Sequence, residues 1–174
     1  PEARLYMQAI ETYVDWTTYA TNTYGLNDGY GLWGIPDDLR DLFDPAAANG
    51  SDVHTNSWGS SVAGAYTTTA MQSDYAARNH SGMLILFAAA NEGIDANSDG
   101  EIDLDSMGAP ATAKNVLSVA ASENNRPTIT SQWGGWWPGD YPANPVNGDK
   151  MADNSEGLAA FSSRGPTDDG RLKP

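Results

Sequence analysis

MLILFAAANEG, residues 83–93, is the stretch on which the fold turns. Met83 to Phe87 is an apolar run, too short for a helix and right for a buried parallel strand. Ala88, Ala89 and Ala90 then remove side-chain bulk at the strand's carboxyl end. Asn91 follows where the chain leaves the sheet, and Gly93 lets it turn. Open α/β sheets bind ligands at the carboxyl ends of their strands. Small residues there let another backbone approach, and an Asn offers two amide donors. The segment reads as one wall of a substrate cleft with a hydrogen-bond donor at its rim.

The flanking sequence extends this strand into an alternating series. Residues 4–10 and 52–58 read as strands before it, and residues 115–122 and 158–162 as strands after it. Residues 36–48 read as a helix, with Leu39, Leu42 and Phe43 at helical spacing, Pro36 in the first turn and Asn49-Gly50 as the stop. Residues 67–80 read as a second helix, and residues 15–35 as a long surface loop. Strands alternating with helices imply parallel pairing and right-handed crossovers, hence an α/β class. Two inserts interrupt the series: an acidic loop at 94–107 and a Trp/Gly/Pro-rich loop at 131–157. Trp133, Trp136 and Trp137 could form an exposed binding patch or a satellite core. The second is favoured, because a long ordered loop needs its own packing.

Bulk composition narrows the function classes. The chain has 174 residues, 40% hydrophobic, enough for one domain with a real core. No apolar run reaches membrane-spanning length, so no membrane partner is expected. The 23 acidic residues against 9 basic ones give a net charge of −14. Nucleic acid is therefore excluded as a partner, since phosphate binding needs clustered Lys and Arg. The absence of cysteine excludes disulfides, thiolate nucleophiles and Cys-based zinc sites. Pro1-Glu2-Ala3 shows no signal peptide and no initiator Met, and the chain reads as cut.

Three further segments join the opening one in order: VHTNSWG (53–59), APATAKNVLSVAA (109–121) and FSSRGP (161–166), followed by DGRLKP (169–174). In this order and spacing the chain resembles the subtilisin family of serine proteases, most of all its large alkaline, oxidation-resistant bacterial branch. The likeness covers the chain apart from the two inserts and part of the loop at 15–35. It implies a three-layer α/β/α fold with a mainly parallel sheet, incomplete at both ends, of which residues 1–174 are the central part. It also implies a secreted bacterial or archaeal parent acting on polypeptide.

The resemblance assigns roles residue by residue. Asn91 matches the side chain that completes the family's oxyanion hole. Ser57, Trp58 and Gly59 match the strand that lines one side of the primary specificity pocket and pairs with the substrate backbone. Ala88, Ala89 and Ala90 match the opposite wall, where the family usually carries Gly immediately before the Asn. The family's Asp, His and Ser triad motifs are absent. Pro1-Glu2-Ala3 matches the segment after the His helix, and Lys173-Pro174 the segment before the Ser loop. The chain alone is expected to be inactive.

The residues present offer no replacement triad. His54 reads as a packed strand histidine and His80 as a surface residue at a helix end. Ser162 and Ser163 precede a turn and have no elbow motif or neighbouring His. In the acidic insert, Asp95, Asn97, Asp99, Gly100 and Asp103 follow the spacing of a D-x-[DN]-x-[DN]-G calcium loop. The carbonyl of Glu101 supplies a further ligand in that pattern, and Ile102 the apolar anchor. Ser106 stands where the pattern carries a bidentate Glu, and Asp105 is the candidate to replace it. A solvated acidic turn is the competing reading.

Two functions stay open from sequence. One is a segment of a subtilisin-like endopeptidase with polypeptide as substrate and calcium as a structural ion. The other is a non-catalytic calcium- and peptide-binding module, a degenerate protease. Self-association is a further expectation, because a sheet without its outer elements exposes apolar surface and strand edges.

Overall fold

The computed structural model describes residues 2–174. From the amino end its elements are β1 (Thr12–Val14), α1 (Thr18–Tyr24), β2 (Gly29–Gly31), α2 (Arg40–Ala48), β3 (Val53–Asn56) and β4 (Ser60–Ser61). Then come α3 (Thr68–Asn79), β5 (Leu84–Ala88), β6 (Gly108–Ala109), β7 (Leu117–Val119) and α4 (Trp133–Trp136), followed by a 3-10 turn at Val146–Gly148.

The apolar run at 83–90 becomes β5, the middle of a three-stranded parallel sheet in the order β3-β5-β7. Alternation along β5 sends Ile85 and Phe87 into the core and Leu84 and Ala88 out of it. The inward side meets Leu39, Phe43 and Ala46 from the α2 region and Ala70 and Ala76 from α3. Thr67 caps α3 by accepting the Ala70 N–H, and Asn49 with Gly50 at φ +78° ends α2. The class is α/β, as the alternation predicts.

Of the three layers expected, the described residues supply two. Both helices lie on one side of the sheet. The other side carries Val53, Leu84, Leu117 and Val119, all exposed. Register places Val53 beside Leu84 and Leu86 beside Leu117, so these residues share one uncovered face.

Four local expectations need correction. Residues 4–10 form no strand, because no neighbouring strand offers them a ladder. Gln8 ties them to the body, donating to the Leu42 carbonyl at 2.7 Å and meeting His54 at 2.9 Å, and the Ile10 carbonyl accepts the Gly34 N–H at 2.9 Å. Residues 158–162 make one antiparallel bridge, Ser122 to Leu158, and then turn. Helix α2 starts at Arg40 rather than Pro36, because the Asp38 carboxylate takes the Arg40 N–H at 3.0 Å. Residues 15–35 are not all loop. β1 and β2 pair as a hairpin around α1, with Tyr13 edge-on to Tyr30 at 5.3 Å between centroids.

The two inserts form a second core, in which Ile102, Trp133, Tyr141 and Val146 pack with Ala159 and Ala160 from the segment that follows. Trp133 is 4% exposed, as the satellite-core reading expects, while Trp136 at 67% and Trp137 at 47% stay in solvent. The acidic loop is tied to the Trp-rich loop through Asp95 N–H to the Asp140 carbonyl and Val146 N–H to the Gly100 carbonyl.

Candidate functional site

Strands β3 and β5 run parallel, so both candidate walls leave the sheet at the same edge. Asn56 closes β3 from inside: it is buried, and its amide donates to the Leu86 carbonyl at 3.0 Å. Trp58 then lays its ring edge-on to Phe87, with centroids 5.3 Å apart. Gly59 passes so close to Ala109 that a Cβ there would lie 2.7 Å from the Ala109 carbonyl oxygen. Beyond it, β4 pairs antiparallel with β6. The other edge of β6 reaches the opposite wall through Gly108 N–H to the Ala89 carbonyl, 3.0 Å. The two-residue strand Gly108–Ala109 is thus a spacer that joins both walls.

The three alanines do not form one surface. Ala88 is exposed, Ala90 is half-buried, and Ala89 turns into the sheet core at 1% exposure. Ala89 turns inward just past the end of β5, which leaves Ala88 and Ala90 for the candidate wall. Ala90 has φ +97°, a conformation that glycine adopts without strain. The alanine therefore keeps a glycine backbone instead of shifting it. Room for its methyl comes from across the spacer, where a Cβ on Gly108 would lie 2.8 Å from the Ala90 Cβ.

Asn91 follows at the rim. It is exposed, and its side chain enters no hydrogen bond among the described residues. The backbone around it is held on both sides. Ser163 N–H donates to the Ala90 carbonyl at 3.1 Å, Glu92 N–H to Ser163 Oγ at 3.0 Å, and Gly93 N–H to the Phe161 carbonyl at 2.9 Å. A free amide on a fixed backbone is the arrangement a preorganised donor requires.

Other polar groups nearby are committed to structure. Ser162 and Ser163 are buried, and their hydroxyls accept the N–H groups of Ala121 and Glu92. The His54 ring lies between Gln8 and the Asn56 amide and edge-on to Phe43. Burial lowers its pKa from the ordinary histidine range. His80 caps the end of α3 and meets Asp44 at 2.6 Å. Neither histidine contacts either serine.

In the acidic loop, Asp95 is fully buried and accepts the N–H groups of Asp99 and Gly100, one on each oxygen, at 3.0 Å. Asn97 accepts the Asp99 N–H, Asp99 the Glu101 N–H, and Asp103 the Ala96 N–H. Gly100 makes the expected sharp turn at φ +89°. Asp105 is not part of this array. Its carboxylate sits against Gly64 beside Asp168, and its N–H donates to the Gly165 carbonyl. Among the described residues no group of three or more His, Cys, Asp or Glu side chains is placed to share a metal ion.

The sequence model of the subtilase family matches residues 34–174. The chain belongs to the subtilase family. No individual curated protein matches it. The matched span of this subtilase holds both walls, Asn91 and both inserts, whereas the β1–β2 hairpin precedes it. Subtilases are serine peptidases, so a peptide cleft at the carboxyl edge of the sheet accords with the family. Sequence reasoning missed the parts that fix the two candidate walls of this subtilase. The Gly108–Ala109 spacer is too short to show a periodicity, and Ser163 read only as a residue preceding a turn. Two adjacent serines directly after an apolar stretch were the available signal for buried hydroxyls.

Proposed function

We propose that this subtilase chain is the cleft segment of a subtilisin-like serine endopeptidase of the alkaline, oxidation-resistant kind. An extended polypeptide adds as a strand beside Ser57, Trp58 and Gly59. Ala88 and Ala90 face its side chain from the other wall. Asn91 donates to the carbonyl oxygen as it becomes an anion, which stabilises the tetrahedral intermediate more than the ground state. The observation that carries this reading is the unengaged Asn91 amide on a backbone bonded at Ala90, Glu92 and Gly93. The nucleophile and its base come from sequence beyond these residues, and the enzyme works in a secreted setting.

The test uses the whole natural gene product. Asn91→Ala is expected to lower kcat about 10²–10³-fold with KM little changed, a magnitude borrowed from subtilisin itself. An unchanged kcat would remove Asn91 from the chemistry. The 174-residue chain by itself should leave casein intact, and inhibitor-sensitive cleavage by it would overturn the assignment of its catalytic partners elsewhere. A second reading, a calcium- and peptide-binding module without turnover, draws support from one observation. Both histidines and both buried serines already serve the fold.

Structural calcium in the acidic loop is part of the proposal under either reading. A carboxylate has about four acceptor sites. Asp95 uses one on each oxygen, so each oxygen keeps acceptor capacity for an ion. Calorimetric titration of the chain with calcium should give heat that Asp99→Ala abolishes. Equal heats from both proteins would leave the loop a hydrogen-bonded turn.

The uncovered sheet face supports self-association of the chain. Sedimentation across a concentration series should show a rising mass, and a constant monomer mass would exclude it.

A further inference from the structure

Arg164 is held in place yet has nothing to hold. Its backbone is clasped by Ser106, which donates its N–H to the Arg164 carbonyl at 2.8 Å and accepts the Arg164 N–H on Oγ at 2.9 Å. Its side chain has no ion pair and no hydrogen bond among the described residues, and its Nε is buried without a partner. This is unusual in a chain with 23 acidic residues. Buried polar atoms are nearly always satisfied, and an exception calls for a missing partner. Burial also lowers the guanidinium's pKa from the ordinary arginine range.

Arg164 lines a cleft of about 760 Å³ between the acidic loop and the Trp-rich insert. Two carboxylates, Glu101 and Asp149, line the same cleft without pairing with Arg164. Ile102, Leu104 and Leu158 give it an apolar side, and Leu104 and Leu158 stay largely in solvent. The volume lies within the range of small-ligand sites, roughly 300–1,000 Å³. A guanidinium fork takes a carboxylate, in the best case through two parallel hydrogen bonds. Glu101 and Asp149 take an ammonium and repel a polyanion, which excludes nucleotides and other oligophosphates. An apolar side between opposite charges takes an aliphatic side chain.

We propose that this cleft binds short zwitterionic peptides, with the free carboxylate on Arg164, the free amine toward Glu101 and Asp149, and an apolar side chain against Ile102 and Leu158. The site lies between the two inserts and the segment 158–164 that follows them, and it is independent of what Asn91 does. If the peptidase reading holds, its ligands are cleavage products. If that reading fails, the site still binds peptide.

Calorimetry on the 174-residue chain tests it with three forms of Ala-Leu-Ala: both ends free, carboxyl-amidated and amino-acetylated. The free peptide should bind. Amidation and Arg164→Gln should each weaken binding about tenfold or more, the scale of a charge-assisted contact. Acetylation should weaken it less, because Glu101 and Asp149 are more exposed. No heat with the free peptide overturns the proposal, and so does equal affinity for the free and amidated forms. Should Arg164→Gln lose its circular dichroism, the free and amidated peptides on the wild-type chain decide the matter alone.

Discussion

The sheet core and the insert core are built by different means. The sheet core is periodic: Ile85 and Phe87 alternate along β5, and Leu39, Phe43 and Ala46 recur along α2 and its approach. Many equivalent contacts share the load. The insert core has one centre. The Trp133 ring lies 5.7 Å from Tyr141, 5.8 Å from Phe161 and 6.0 Å from Trp137. Its indole N–H donates to Glu123, and the Tyr141 hydroxyl donates to the Gly93 carbonyl. A periodic core spreads its stability over its elements, whereas an anchored core stands or falls with its aromatic residue.

The largest expected effect tests that contrast directly. Trp133→Ala should cost about 3–5 kcal/mol, the range for truncating a buried Trp or Phe. Urea unfolding should then show two steps, an early one for the inserts and a later one for the sheet. Phe87→Ala should lower the sheet step by a similar amount. A single shared transition in both variants would mean that the two cores fold as one unit.

A smaller effect is expected at the joint between them. Ala90 occupies a positive-φ conformation while bonding to Ser163 of the neighbouring segment. Such strain is of order 1–3 kcal/mol for a non-glycine residue, and glycine gives back about 0.4–1 kcal/mol through the freedom of the unfolded chain. Ala90→Gly should therefore raise stability by about 1 kcal/mol, read as a higher urea midpoint. A lower midpoint would show that the methyl's packing against Gly108 outweighs the strain.

The smallest effect separates the cores by pH. Burial, the main influence on Glu123, raises its pKa, with the Trp133 hydrogen bond pulling the other way. Between the unfolded and folded values the folded protein binds more protons, so the insert core gains stability as pH falls into the carboxylate range. His54 in the sheet core has the opposite sign. Its folded pKa is depressed by burial, so its contribution is present above about 6.5 and is lost as pH falls toward the folded value. Glu123→Gln should flatten the acid side of the insert transition and leave the sheet transition unchanged. Equal flattening of both would contradict the separation.

This contrast also explains how much could be read in advance. β5 was legible because its apolar run is too short for a helix, and α2 because Leu39, Leu42 and Phe43 recur at helical spacing. Asn49 and Gly50 marked the end of α2 through chemistry that belongs to caps. The strand expected at 4–10 had a suitable pattern but lacked a partner, and pairing is not encoded in one segment. The candidate site divides in the same way. The position of Asn91 just after β5 was legible, and so was the sharp turn at Gly100. Ala89 was assigned to a wall although its alternation points it inward. Asp105 was assigned to the loop, yet the backbone turns at φ +62° and carries it toward Gly64. Contacts between distant loops, such as Ser163 with Glu92, leave no local trace.

The uncovered face of the sheet gives the acidic composition a colloidal meaning. Val53, Leu84, Leu117 and Val119 are wetted together, and any two copies that met there would gain by excluding water. At neutral pH a net charge of −14 keeps such encounters brief. That protection is electrostatic, so it shortens with ionic strength, to a reach of about 10 Å at 0.1 M salt. It vanishes near the isoelectric point of about 4.1. Low pH or concentrated salt therefore removes this electrostatic barrier to precipitation.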